Sequence, residues 1–233
     1  MIKLYEENAY KKEFETKITN LDRENNLIEL EDTAFYGKGG GQPGDNGWLF
    51  TEMKSLEVLE TLKKKGALLH QVNSVNNLKI GELIKGKIDW KNRYKYMKMH
   101  TALHLLCAVV PMGVTGGQIG FLKSRLDFNA NADSIIKEEV QEKLNDILKN
   151  ENEVSYEWID SVELGKKPEL VRTMSVKPPK TNNKIRLVKI GSIDLQPCGG
   201  THVKNTSEIG SIIIGKIENK GRMNRRINIS ISD

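Results

Sequence analysis

Asp89-Trp-Lys-Asn-Arg-Tyr-Lys-Tyr-Met-Lys-Met-His100-Thr-Ala-Leu-His104-Leu-Leu-Cys107-Ala-Val-Val-Pro111 reads as one helix, running from about Lys91 to Val110. Asp89 is placed to cap its start, and Pro111, which has no N–H to give, ends it. His100 and His104 then share one face, a single turn apart. Far downstream, Cys198-Gly-Gly-Thr-His202 offers a second pair on a tight glycine loop. Two imidazoles from a helix, with a thiolate and a third imidazole from a loop, form a nitrogen-and-sulfur set suited to one zinc ion per chain. Two His at this spacing can also be packed or surface residues. Yet the chain holds four His and two Cys, and three of those His and one Cys fall in the two pairs. The Glu of a His-Glu-x-x-His helix is missing, because Thr101, Ala102 and Leu103 fill the gap, and this excludes a metallopeptidase that uses that base. Cys107, one further turn along, is either a rival ligand or a small core thiol.

The 233 residues suffice for one large or two small domains with real cores. No run of 18 apolar residues offers a membrane span, and Met1-Ile-Lys-Leu-Tyr-Glu-Glu7 has no signal-peptide core. Two Cys that serve separate purposes fit a reducing compartment, so a soluble cytoplasmic protein is expected. The formal net charge of +5 is a mild pointer to a polyanionic partner.

Upstream of the helix the chain reads as β-rich. Phe14–Ile18 and Leu27–Leu30 flank the polar turn Asp22–Asn26 as a hairpin, and Trp48–Phe50, Leu56–Leu59, Ala67–Val72 and Ile80–Ile88 continue as short strands. Lys63-Lys-Lys-Gly66 is a turn with a charged tip, and Gly81 and Gly86 interrupt the last strand. Short strands with frequent turns suggest a small barrel over residues 1–90. Within it, Tyr36-Gly-Lys-Gly-Gly-Gly-Gln-Pro-Gly-Asp-Asn-Gly47 contains Gly39, Gly40, Gly41, Gln42 and Gly44. A dinucleotide site is rejected, because Pro43 intrudes and a strand rather than a helix follows. The stretch is either a connecting loop, with Asn46-Gly47 as its turn, or a flexible backbone surface leaning over a neighbouring site.

Residues 91–233 read as α+β. Gly113 to Gly120 is a small-residue turn before a strand over Phe121–Phe128. Asp133 caps a helix to about Asn150, with Ile136, Val140, Leu144 and Ile147 or Leu148 as its apolar stripe. Tyr156–Ile159 and Ile185–Ile190 are strands, and Lys166 to Lys180 is loop-like, with Pro178-Pro179 near its end. Gly210–Ile217 and Arg226–Ile231 make a closing hairpin around the basic turn Glu218–Arg225. The fold class is therefore α+β: a barrel-like N-terminal domain, then a zinc-containing α+β domain. Lys85, Lys87, Lys91, Arg93, Lys95 and Lys98, interleaved with Trp90, Tyr94 and Tyr96, make either a solvated face or a surface for phosphates and stacked bases.

These residues together resemble a known family. His100-Thr-Ala-Leu-His104-Leu-Leu, Gly117-Gln-Ile119 with Lys123–Phe128, Asp194-Leu-Gln-Pro-Cys-Gly-Gly-Thr-His202 and Gly221–Arg226 resemble the AlaX proteins. These are free-standing relatives of the alanyl-tRNA synthetase editing domain, which threonyl-tRNA synthetase shares. Thr33-Ala-Phe-Tyr36 through Gly47 is similar to the glycine-rich motif of the medium-length class. Without an aminoacylation domain the free-standing form is expected. The resemblance implies an ATP-independent deacylase of mischarged tRNA(Ala), acting chiefly on the seryl ester and also on the glycyl ester. Leu103 departs from the family, where a polar residue, commonly Gln, stands.

An alanine pocket cannot strongly exclude serine or glycine, since such differences give only about 10–200-fold discrimination, and a second site that reads the hydroxyl corrects the error. Thr101, beside the His pair, is the candidate reader, unless its hydroxyl bonds its own backbone. Gln118 is the second candidate, or else a solvent-facing turn residue. The N–H groups of Gly199, Gly200 and Thr201 can hold the oxyanion, and Asp194 is either a partner to a ligand or a strand-end acid. Four simultaneous ligands close the shell, which usually marks a structural zinc. Lys98, Lys123, Arg125, Lys204, Lys220, Arg222, Arg225 and Arg226 are candidates for the tRNA backbone. The competing readings are a non-catalytic tRNA-binding module with structural zinc, and a zinc hydrolase of small esters or peptides whose activity ignores tRNA and salt.

Overall fold

The computed structural model describes residues 1–64, 66–131, 134–174 and 184–232. Lys65 of the expected turn, the expected helix cap Asp133, and Pro178-Pro179 lie outside the described residues. The chain divides into two compact units, Met1–Lys95 and Tyr96–Asp233.

In the first unit, strands β1 (Ile2–Lys3) and β4 (Asp32–Thr33) pair in parallel, with the short helix α1 (Leu4–Glu7) after β1. The other strands are β2 (Glu13–Asp22), β3 (Leu27–Leu30), β5 (Gly47–Phe50), β6 (Ser55–Lys64), β7 (Ala67–Val72) and β8 (Leu83–Ile88). They close an antiparallel barrel in the order β2-β3-β7-β6-β5-β8. Alternation selects what fills it. Phe14 and Ile18 of β2, Leu56 and Val58 of β6, and Ile84 and Ile88 of β8 point inward, and Phe35 completes the core. β6 is longer than its apolar stretch suggests, taking up Lys63 and Lys64.

The glycine-rich stretch makes its own hydrogen bonds. Gly39 and Gln42 exchange backbone hydrogen bonds of 3.1 and 3.0 Å, and the Tyr36 hydroxyl donates to the Gly39 carbonyl at 2.8 Å. A Cβ at Gly44 would overlap the Thr61 carbonyl, so no larger residue fits there without a shift. Asp45 anchors the far end, accepting the Tyr36 N–H at 2.6 Å. Asn46-Gly47 runs directly into β5.

The anchor itself is held by Arg93, which is fully buried. Its Nε donates to both Asp45 carboxylate oxygens at 3.0 Å, and Nη2 also reaches Oδ2. The fork is completed by Nη1 on the Ala9 carbonyl (2.9 Å) and Nη2 on the Ala34 carbonyl (2.6 Å). A buried guanidinium is tolerable only when its donors are spent in this way. Arg93 is thus removed from the expected phosphate-binding face. The aromatic residues beside it are partnered too: Trp90 stacks on Tyr94 at 5.3 Å, Tyr10 packs tilted against Trp90 and edge-on against Tyr94, and Lys12 sits 4.6 Å over the Trp90 ring.

His70, buried in the barrel, lies between the Ile28 carbonyl (Nδ1, 3.0 Å) and the Thr33 hydroxyl (Nε2, 2.9 Å). Burial outweighs the bond to Ile28 and lowers its pKa to about 4.

Helix α2 (Trp90–Val109) follows. Asp89 caps it, its Oδ1 accepting the Asn92 N–H at 3.2 Å. The second unit holds a four-stranded antiparallel sheet, β14-β15-β10-β9, and a three-stranded one, β11-β12-β13. Here β9 is Val114–Gln118, β10 Ser124–Phe128, β11 Val154–Asp160, β12 Lys184–Ile190, β13 Asp194–Pro197, β14 Ser211–Gly221 and β15 Asn224–Ser232, with helices α3 (Lys137–Leu148) and α4 (Ser161–Gly165). The expected small-residue turn at Gly113–Gly120 is therefore a strand over most of its length. Its glycines face occupied space, since a Cβ at Gly117 would lie 2.9 Å from Leu126 Cδ2 of β10.

The stripe of α3 buries Val140 and Leu144, while Ile136 is exposed. Gln141 covers the open edge of β14: its Nε2 donates to the Ile212 carbonyl and its Oε1 accepts the Ile214 N–H, both at 2.8 Å. The closing hairpin is tighter than its composition suggests, with only Arg222 and Met223 between its strands. Arg225 folds the tip, its Nη1 donating to Asn219 Oδ1 and to the Gly221 and Asn224 carbonyls.

Arg93→Met would strand the Asp45 carboxylate, and a loss of about 3–5 kcal/mol is expected in urea unfolding. Adding Asp45→Asn should recover part of that loss; equal losses in the two variants would show the pair is not the cause. Because the unfolded pKa of His70 lies near 6.5 and the folded one near 4, the unfolded chain binds the extra proton between them. Stability should therefore fall by up to about 3 kcal/mol as pH drops from 6.5 to 4. A His70→Gln variant should lose this part of the slope; an unchanged slope would contradict the assignment.

Candidate metal centre

Helix α2 presents His100 and His104 one turn apart, and the loop leaving β13 presents Cys198 and His202. One ligand atom from each of the four lies within 4.8 Å of all the others. Cys198 Sγ is 3.5 Å from His100 Nε2 and 3.4 Å from His202 Nε2. The three His are buried and Cys198 is half-buried.

The outward nitrogens are taken by the protein. Asp194, the first residue of β13, receives His104 Nδ1–H on Oδ2 at 3.0 Å, and Gln196 Nε2 donates to the same oxygen at 2.8 Å. The Thr101 hydroxyl donates to the Met97 carbonyl at 2.9 Å, so its oxygen accepts His202 Nδ1–H at 3.2 Å and Val203 N–H at 3.3 Å. These bonds fix both tautomers and leave Nε2 of each ring facing the cluster.

The charges follow. Burial resists ionisation of Cys198, but His100 and His202 outweigh it and hold the thiol well below its ordinary value. Burial lowers His104, yet Asp194 and Cys198 lift it to about 9. Burial, with His100 beside it, holds His202 well below the usual imidazole range. A thiolate among imidazoles is the donor set zinc selects. Tetrahedral zinc with ordinary bond lengths needs sulfur and nitrogen about 3.6 Å apart, and the two measured separations of 3.5 and 3.4 Å fit it.

Other expected site residues fare differently. Thr101 is fully buried, and its hydroxyl bonds the Met97 carbonyl of its own helix and His202 Nδ1, which is the backbone-bonding alternative to reading a serine hydroxyl. Of the expected oxyanion donors, Gly200 N–H points to Cys198 Sγ at 3.4 Å and Thr201 is fully buried, whereas Gly199 is half-buried. Gln118 is exposed at the end of β9, and Leu103 is buried. Cys107 is a buried thiol outside the four-residue cluster, pushed up to about 11 by burial.

Among the expected tRNA contacts, Arg225 is buried in the hairpin tip. Arg125 and Arg226 are both engaged by Asp127, and Lys220 by Glu218 at 2.7 Å. Lys98 is half-buried and Lys204 exposed, each with a partner within the protein. Lys123 and Arg222 are exposed. Arg186 was not anticipated. It lies in β12, its Nε donating to the Cys198 carbonyl at 3.0 Å and Nη2 to that of Gly200. The available signal was a single cation within the apolar run Ile185–Val188.

Residues 185–228 match the model of the threonyl and alanyl tRNA synthetase second additional domain, and residues 4–92 that of class II (A) tRNA synthetases. The alanyl-tRNA editing protein AlaX-M of Methanosarcina barkeri is 35% identical, with 99% of this chain and 98% of that protein covered. AlaX-M of Saccharolobus solfataricus is 36% identical over 96% of each. The chain belongs to the AlaX family. AlaX-L of Pyrococcus horikoshii is 33% identical over 94% of this chain and 55% of its own length.

If the cluster holds a metal ion, Asp194→Asn should weaken its binding by roughly 10–100-fold, because the ring of His104 loses its charged acceptor. Chelator competition measures this, and an unchanged affinity would remove Asp194 from the site.

Proposed function

We propose that the chain hydrolyses the ester of mischarged tRNA(Ala), chiefly the seryl and also the glycyl form, releasing amino acid and tRNA, with zinc held by His100, His104, Cys198 and His202. The observation that carries the proposal is the convergence of those four donors in a chain that aligns nearly end to end with alanyl-tRNA editing proteins. When bound, zinc supplies Lewis acidity and a fixed charge.

The chain's own groups supply the rest. Asp194 and Thr101 hold two of the imidazoles against rotation. Gly199 N–H is the remaining candidate for an oxyanion that develops on the ester. Exposed Gln118 offers both a donor and an acceptor for reading the aminoacyl group. Lys123 and Arg222 can meet the phosphates of the acceptor end. An ester is labile compared with an amide, so the reaction needs no ATP.

A second reading, a tRNA-binding module with structural zinc, draws support from the fact that all four donors converge, leaving no protein position open. Incubating Ser-tRNA(Ala), Gly-tRNA(Ala) and Ala-tRNA(Ala) with zinc-loaded protein and with Cys198→Ala separates the two. Fast loss of the seryl ester, retention of the alanyl ester and a loss of at least about 100-fold in the variant are expected. No hydrolysis above background by the zinc-loaded wild type would favour the binding module.

A further inference from the structure

Arg186 holds the Cys198–Gly200 backbone at two points. It lies in β12, the central strand of its sheet, and is 3% exposed. Its guanidinium donates from Nε to the Cys198 carbonyl and from Nη2 to the Gly200 carbonyl, while its own carbonyl accepts Cys198 N–H at 3.1 Å. Tyr156 of β11 lies flat against the cation, with 4.6 Å from guanidinium carbon to ring centroid. The fork is therefore held in plane by a ring and spent on backbone.

The consequence follows from peptide geometry. In a trans peptide the carbonyl and the next N–H point in opposite directions, and the structure contains no cis bond among the described residues. Drawing the Cys198 and Gly200 carbonyls toward Arg186 turns the N–H groups of Gly199 and Thr201 away from it. The intervening Gly200 N–H goes to Cys198 Sγ. Two glycines in succession would otherwise leave these peptide planes free to rotate. A cation on each carbonyl also polarises the peptide and strengthens its N–H as a donor.

We infer that Arg186 is a positioning residue of the deacylase, which presets the Cys198-Gly-Gly-Thr loop so that Gly199 N–H is aimed before substrate arrives. This rests on the hydrolytic reading above. It assigns Arg186 no contact with substrate and no proton to move.

Arg186→Lys keeps the charge but loses the fork, and Arg186→Met removes both. Each is compared with wild type for zinc content, melting temperature, deacylation kinetics on Ser-tRNA(Ala), and the amide signals of 15N-glycine-labelled protein. For Arg186→Lys we expect full zinc content, KM within about threefold, and kcat lowered by roughly 10–100-fold, the scale of a misplaced oxyanion donor. The Gly199 and Gly200 amides should shift and exchange faster with solvent, with Arg186→Met lower again in kcat. Wild-type kcat in Arg186→Lys would overturn the inference, as would a kcat loss that only tracks zinc loss. Unchanged glycine amides would overturn it even if wild type proved inactive, an outcome that by itself defeats only the hydrolytic reading.

Discussion

Four polar side chains that meet inside a protein must each find a partner, and this constraint organises the second unit. His100 and His104 arrive on a helix, Cys198 and His202 on a loop about a hundred residues later. Without neighbours, rings buried this deeply would carry a desolvation cost of several kcal/mol in total. The chain meets part of it by directing Asp194 to His104 and Thr101 to His202, so that these two rings each keep one nitrogen for the protein and one for the cluster. The β12–β13 hairpin places Asp194 opposite Ile190, which fixes the start of the strand that delivers Cys198.

Two buried arginines share a second device. Arg93 closes the ends of the glycine-rich stretch through Asp45 and two carbonyls, and Arg186 closes the cysteine loop through two carbonyls. In both places glycine permits a close backbone approach and arginine then removes the freedom that glycine brings.

Several cations are engaged within the protein. Arg93, Arg186 and Arg225 are buried, Arg125 and Arg226 share Asp127, and Lys85 and Lys87 pair with Glu15 and Glu13 across the barrel wall. The exposed pairs contribute little stability, roughly 0–1 kcal/mol each.

The sequence by itself determined the two His/Cys pairs, the α+β class and most of the strands, because each is written in local spacing. His100 and His104 four apart, Asp89 before a helix and Pro111 after it, and alternation from Phe14 to Ile18 need no knowledge of distant residues. Only the tertiary structure decided what each polar group faces. Thr101 turned out to hold His202, Gly200 N–H to meet a thiolate, and Gly116 and Gly117 to sit in a strand because Leu126 and Asp127 fill the space across from them. The burial of Arg93 and Arg186 was equally hidden. Hydrogen-bond partners separated by tens of residues are chosen by packing, and packing has no local period for a sequence to display.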